Sequence, residues 1–319
     1  MNIERNFLLD IIFSFMSLAV MNDAIATRVM DESTIFIKGE QRRYYRLHDS
    51  DQLTGLEKHP IIMLLSGSGC DDFGSEFQGF FKKYPAPLDV YFLDKPHVEK
   101  RADGSHCSIE YEEADYLDRR VSDTLDFMEL EPTLKARANH SIAILGFSEG
   151  GVVAPIVALK SKKIGWLATT GGGGGLTQGQ GFLIFANRGV SPYAKPLSEK
   201  IFLKEFKLIK ADPSNKKKKF FGHSYHYWSS HLFYDPISTY GKLNIPIVAA
   251  MGEKDESVPI ESGIALKKYF AAYPKRNFKF ITYSNADHGF QTAHKNYTNI
   301  FIAGLAQWFK GDPDAFKDN

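Results

Sequence analysis

A serine hydroxyl attacks a carbonyl only when a base takes its proton and a carboxylate holds that base in the right tautomer. The chain offers such a serine in Gly146-Phe147-Ser148-Glu149-Gly150-Gly151, where G-x-S-x-G follows the apolar run Ile142-Ala143-Ile144-Leu145 and precedes a helix-forming segment from Val152 to Lys160. Strand, sharp turn and helix together make a nucleophile elbow. The turn strains the serine backbone, and the residues two before and two after it must be nearly free of side chain. Gly146 and Gly150 meet that demand, and Gly151 gives the helix room to pack.

The partners of such a serine follow it in the order acid, then histidine. Asp255 lies in Gly252-Glu253-Lys254-Asp255-Glu256-Ser257-Val258-Pro259, beyond the apolar run Ile245 to Met251. His288 lies in Asn285-Ala286-Asp287-His288-Gly289-Phe290, beyond the run Phe278 to Tyr283. Loops at the carboxyl ends of neighbouring parallel strands share one rim of a sheet, so residues far apart in sequence converge there. Glu253 and Asp287 are the rival acids. Asp287 adjoins the histidine, where neighbouring side chains point apart, and Asp255 is the expected acid.

A developing oxyanion needs two backbone N–H groups. Glu149, directly after the serine, supplies one. The other should come from Ser66-Gly67-Ser68-Gly69, after the run Ile61 to Leu65. Ser68 is the expected donor, with Gly67 and Gly69 as alternatives. Small residues there let the backbone approach a substrate carbonyl.

The elements that must hold these residues are legible as period and run. Thr34 to Ile37 and Arg42 to Leu47 alternate and predict an antiparallel edge hairpin. Ile61 to Leu65 is a continuous apolar run, as expected of a strand covered on both faces. Leu88 to Leu93, Ile142 to Leu145, Ile164 to Ala168, Ile245 to Met251 and Phe278 to Tyr283 add strands. Leu117, Val121, Leu125 and Met128 recur at helical spacing between Tyr116 and Leu134, and Glu261 to Phe270 and Thr298 to Phe309 read as further helices. This alternation predicts an α/β fold: a mostly parallel, doubly wound sheet. The interval 176–240 breaks the rhythm and is rich in aromatic residues, as in His223-Ser224-Tyr225-His226-Tyr227-Trp228. It is expected to be a lid insertion. Gly171 to Gly175 should either keep the rim open or hinge that lid.

The bulk numbers exclude several classes. The 319 residues carry 39 Lys and Arg against 38 Asp and Glu, a net charge of +1 that gives no reason to expect nucleic acid or an anionic membrane. Lys216 to Lys219 reads as a solvated loop. His223, His226 and His231 match no common ligand spacing, so no metal or other cofactor is expected. At the N-terminus Arg5, the apolar stretch Ile11 to Met21 and Ala24-Ile25-Ala26 read as a signal peptide over 1–26, ahead of one domain over 27–319. The apolar stretch is too short for a stable membrane span. Export to periplasm or medium is the expectation, with a cytoplasmic location if the leader reading fails. Of two cysteines, Cys70 and Cys107, export would let them pair and a reducing cytosol would keep them free.

With these residues in place, the chain resembles the α/β-hydrolase superfamily from about Pro60 to Lys310. Within it the likeness is to the dienelactone-hydrolase and prolyl-oligopeptidase-type branch. Gly146–Gly150, Ser66–Gly69, Gly252 to Pro259 and Asp287-His288-Gly289 carry it, and Tyr227-Trp228 with Asp235-Pro236 fits. Ser66 departs from the histidine that many relatives have before the oxyanion glycines. The resemblance implies a serine hydrolase acting on a small-molecule ester or other acyl substrate. Thioesterase, peptidase and non-catalytic binding members of the same fold are the alternatives. A neutral His288 is required as base, so activity should fall in acid.

Overall fold

The computed structural model describes residues 27–50, 59–189 and 198–317. The leader reading over 1–26 lies outside the described residues. The strands are β1 (Arg28–Ile37), β2 (Glu40–Asp49), β3 (Ile61–Leu65), β4 (Asp89–Leu93), β5 (Ile142–Phe147), β6 (Ile164–Thr170), β7 (Lys219–Phe220), β8 (His223–Ser224), β9 (Ile247–Gly252) and β10 (Phe278–Tyr283). The helices up to the elbow are α1 (Gln78–Phe81), α2 (Ile109–Ala114), α3 (Leu117–Leu130), α4 (Pro132–Ala136) and α5 (Gly150–Lys160). Beyond it come α6 (Gln178–Arg188), α7 (Glu199–Ala211), α8 (Tyr225–His231), α9 (Pro236–Tyr240), α10 (Ile260–Ala271) and α11 (Tyr297–Phe309).

Eight strands form one sheet in the order β1-β2-β4-β3-β5-β6-β9-β10. The β1–β2 hairpin is antiparallel and joins the sheet antiparallel to β4; all pairings from β4 to β10 are parallel. This is the expected doubly wound α/β sheet.

Strand periodicity divides the core. In β3, Ile62 and Leu64 point to a layer shared with Phe77, Phe81, Phe301 and Trp308, so α1 and α11 cover that face. Ile61, Met63 and Leu65 point to the opposite layer, with Val121 of α3, Val153 of α5 and Leu266 of α10. All five β3 side chains are buried, which is why the strand shows no polar alternation. Each large aliphatic side chain so buried contributes about 1.5–3 kcal/mol from removal of apolar surface.

The interval 176–240 contains α6 to α9 and the short β7–β8 hairpin among its described residues. Thr177 and Gln180 form a reciprocal capping box at the start of α6, and Gly189, at φ 67°, ends it. The insertion has its own aromatic cluster, in which Phe182, Phe202, Phe206 and Trp228 pack together apart from the sheet. The lysine run lies at its surface, where Lys219 pairs with Glu112 at 2.6 Å and Lys218 with Asp212 at 3.0 Å.

Candidate active site

β5 delivers Ser148 at its carboxyl end with φ 52°, the left-handed backbone expected of the elbow. The glycines beside it have no alternative. A Cβ on Gly146 would sit 2.2 Å from the Gly150 carbonyl oxygen, and one on Gly150 would sit 2.4 Å from that of Leu65. Backbone atoms cannot move aside as a flexible side chain would.

β9 and β10 bring the other two residues to the same rim. His288 Nε2 lies 3.0 Å from Ser148 Oγ, and His288 Nδ1 lies 2.8 Å from Asp255 Oδ2. The second Asp255 oxygen accepts the N–H groups of Ser257 and Val258, both at 2.8 Å. These bonds fix the carboxylate plane, so its remaining oxygen faces the imidazole. Its side chain is fully buried, whereas that of His288 is 32% exposed and open to a substrate. The rival acids lie elsewhere: Glu253 is exposed, and Asp287 turns outward to accept the Gln291 N–H at 2.8 Å.

The glycine run is closely packed, and Gly172, Gly173 and Gly174 also line the cavity beside Ser148. Its backbone is wedged between the elbow, the histidine loop and α10. A Cβ on Gly171 would meet the His288 ring at 3.1 Å, and one on Gly172 would lie 1.9 Å from the Ser148 carbonyl oxygen. Backbone passes here only without side chains.

Gly67 lies against the serine, its missing Cβ 3.2 Å from Ser148 Cβ, and Ser68 faces the cavity that opens above. That cavity, about 470 Å³, has Ser148 and His288 at its base, with Phe182, Phe185, Tyr227 and Trp228 of the insertion in its walls. Cys70, directly after the 66–69 loop, is bonded to Cys107, with Cα atoms 5.6 Å apart.

Below the elbow lies a polar cluster that the motif reading did not contain. The Glu149 carboxylate is buried and pairs with Arg120 Nη1 at 2.7 Å and His231 Nε2 at 2.9 Å. Burial pushes this carboxyl up. The charges of Arg120, His231 and Lys95 and the His231 hydrogen bond outweigh it and hold Glu149 well below the ordinary carboxylate range. His223 and His231 stack on either face of Tyr227, at ring separations of 4.0 Å. Burial lowers the pKa of His223. Nothing about residue spacing pairs position 149 with 120 or 231. The one available signal was an acidic residue inside an otherwise small, apolar motif.

Six parallel strands flanked by an antiparallel edge hairpin, with a serine elbow after a central strand, decide the architecture. The chain has the α/β-hydrolase fold. Residues 218–307 of the chain match the family model "Dienelactone hydrolase family". Among solved structures it is similar to Est1E from Butyrivibrio proteoclasticus, at 13% identity and TM-score 0.56, over 88% of this chain and 98% of that one. It is also similar to a Mycobacterium tuberculosis puromycin-hydrolyzing peptidase, at 13% identity and TM-score 0.59, over 89% of this chain but 39% of that one. The Pyrococcus horikoshii acylaminoacyl peptidase gives 12% identity and TM-score 0.55, over 90% and 42%. At these identities the likeness is one of fold. No curated protein matches the chain at a significant level. Among its described residues no helix is long and apolar enough to cross a membrane, and no group of three or more His, Cys, Asp or Glu side chains is placed to hold a metal ion.

Proposed function

We propose that this α/β-hydrolase cleaves carboxylic esters through an acyl-enzyme on Ser148. The single observation that carries the reading is the hydrogen-bonded chain Ser148–His288–Asp255, with separations of 3.0 and 2.8 Å. His288 takes the Ser148 proton as Oγ attacks the ester carbonyl, and Asp255 stabilises the imidazolium. The negative oxygen is held by the N–H groups of Ser68 and Glu149. When the C–O bond breaks, the imidazolium returns its proton to the departing alcohol. Water, deprotonated by the same imidazole, then releases the acid and regenerates the serine.

The aromatic wall supports an apolar acyl group, and residues 176–240 act as the lid over it. Thioesters and peptides pass through the same intermediate and are the alternatives. The Cys70–Cys107 bond supports an exported protein with a leader over 1–26. A panel of p-nitrophenyl esters, acyl thioesters and aminoacyl amides tests the assignment. Esters of apolar acids should have the highest kcat/KM, and Ser148→Ala should abolish turnover. Faster cleavage of aminoacyl amides would overturn the ester reading, and no Ser148-dependent turnover of any class would point to a binding protein.

A further inference from the structure

The buried cations beneath the 66–69 loop have no part in the mechanism above, yet they touch it where geometry matters most. Arg120 Nη2 donates to the Ser66 carbonyl at 2.9 Å, and its Nη1 reaches the Gly67 carbonyl at 3.5 Å. Lys95 Nζ donates to the same Gly67 carbonyl at 3.1 Å and also to the Tyr111 hydroxyl. That hydroxyl in turn donates to the Gly69 carbonyl and lies 3.0 Å from Asp115 Oδ2. Three carbonyls of one four-residue loop are thus drawn to a single buried cluster. Lys95 and Arg120 are both buried, and Glu149 and Asp115 balance them.

A trans peptide unit is planar, with its C=O and N–H pointing in opposite directions. The Ser66 carbonyl belongs to the unit that carries the Gly67 N–H, and the Gly67 carbonyl to the unit that carries the Ser68 N–H. Holding both carbonyls down toward Arg120 and Lys95 turns both N–H groups up, to the side where Gly67 and Ser68 line the cavity beside Ser148. Among the described residues no protein group accepts the N–H of Gly67, Ser68 or Glu149. A cation on the carbonyl also polarises the amide, which makes its N–H a stronger donor.

We propose that Arg120 and Lys95 are positioning residues that set and polarise the oxyanion donors of the 66–69 loop. The Glu149 carboxylate fixes Arg120 in place. The nucleophile's neighbour therefore serves twice, with its own N–H as a donor and its side chain as the anchor of the opposite donor. This rests on the serine-hydrolase reading of the same site.

The test compares p-nitrophenyl acetate with its thionoester analogue, C=S for C=O, in the full-length wild type, Lys95→Met, Arg120→Lys and Tyr111→Phe. Sulfur accepts hydrogen bonds weakly, so a thionoester draws little from oxyanion donors. In variants with a wild-type circular dichroism spectrum, kcat for the oxoester should fall about 10- to 100-fold while KM stays within about threefold. The oxo-to-thiono ratio of kcat/KM should fall with it. Equal losses on both substrates, or unchanged kcat, would overturn the positioning role. Tyr111→Phe removes a single hydroxyl and keeps the question answerable if the charge variants fail to fold. Wild type that turns over neither ester would instead sink the serine-hydrolase reading beneath it.

Discussion

His231 Nε2 and Glu149 Oε1 stand 2.9 Å apart, joining a helix of the 176–240 insertion to the residue that follows Ser148. The contact is fully buried on the histidine side. The Ser230 hydroxyl accepts the Leu117 N–H at 3.2 Å, so α8 is fastened to α3 as well as to the elbow. The base of the insertion is thus hydrogen-bonded both to the elbow and to the start of α3.

Glu149→Gln should destabilise the fold in a pH-dependent way. Its carboxyl is depressed in the folded state from the ordinary 4.5. A depressed carboxyl contributes stability that is fully present above about pH 4.5 and is lost as pH falls through the folded value. Urea titrations should show wild type ahead of the variant by about 3–5 kcal/mol at pH 7, as for a broken buried ion pair, with the gap narrowing below pH 4.5. A gap independent of pH would assign the effect to packing alone.

Asp255→Asn keeps the shape of the acid but changes the protons around His288. Its amide can still accept the Ser257 and Val258 N–H groups, so thermal stability should change little. Steady-state kinetics should show kcat down by about 10³–10⁴-fold.

Reduction of the Cys70–Cys107 bond, 37 residues apart in sequence, should lower stability by about 2–4 kcal/mol. Because Cys70 directly follows the 66–69 loop, kcat should fall too, and Cys70→Ser should reproduce both effects. Thermal melts with and without dithiothreitol check the first, and ester turnover in the same samples checks the second.

Gly172→Ala places a methyl group 1.9 Å from the Ser148 carbonyl oxygen. The elbow or the glycine run must shift, at about 3 kcal/mol, the upper end of overpacking costs. Gly79→Ala, where nothing lies within 4 Å, is the matched control and should melt like wild type.

Features that are local in sequence were legible there. The elbow glycines, the unbroken apolar strands and the strand-end positions of Asp255 and His288 each follow from a short-range rule, and the sheet order then brings the three side chains together. The cluster of Lys95, Arg120, Glu149 and His231 follows no such rule, because its members sit on separate loops and helices at no fixed spacing. The glycine run illustrates the same boundary. Five adjacent glycines signal backbone freedom or close approach equally well, and only the packing against Ser148 and His288 distinguishes them. The helices α6, α7 and α8 were not separable by period, since their aromatic residues face one another rather than the sheet core.

The central claim is that Ser148 is acylated with the help of His288. Intact-mass measurement after treatment with a fluorophosphonate tests it most directly. Wild type should gain one phosphonyl group, located to the peptide containing Ser148, while Ser148→Ala gains none and His288→Ala reacts far more slowly. An unmodified wild type, or a Ser148→Ala variant modified to the same extent, would contradict the account.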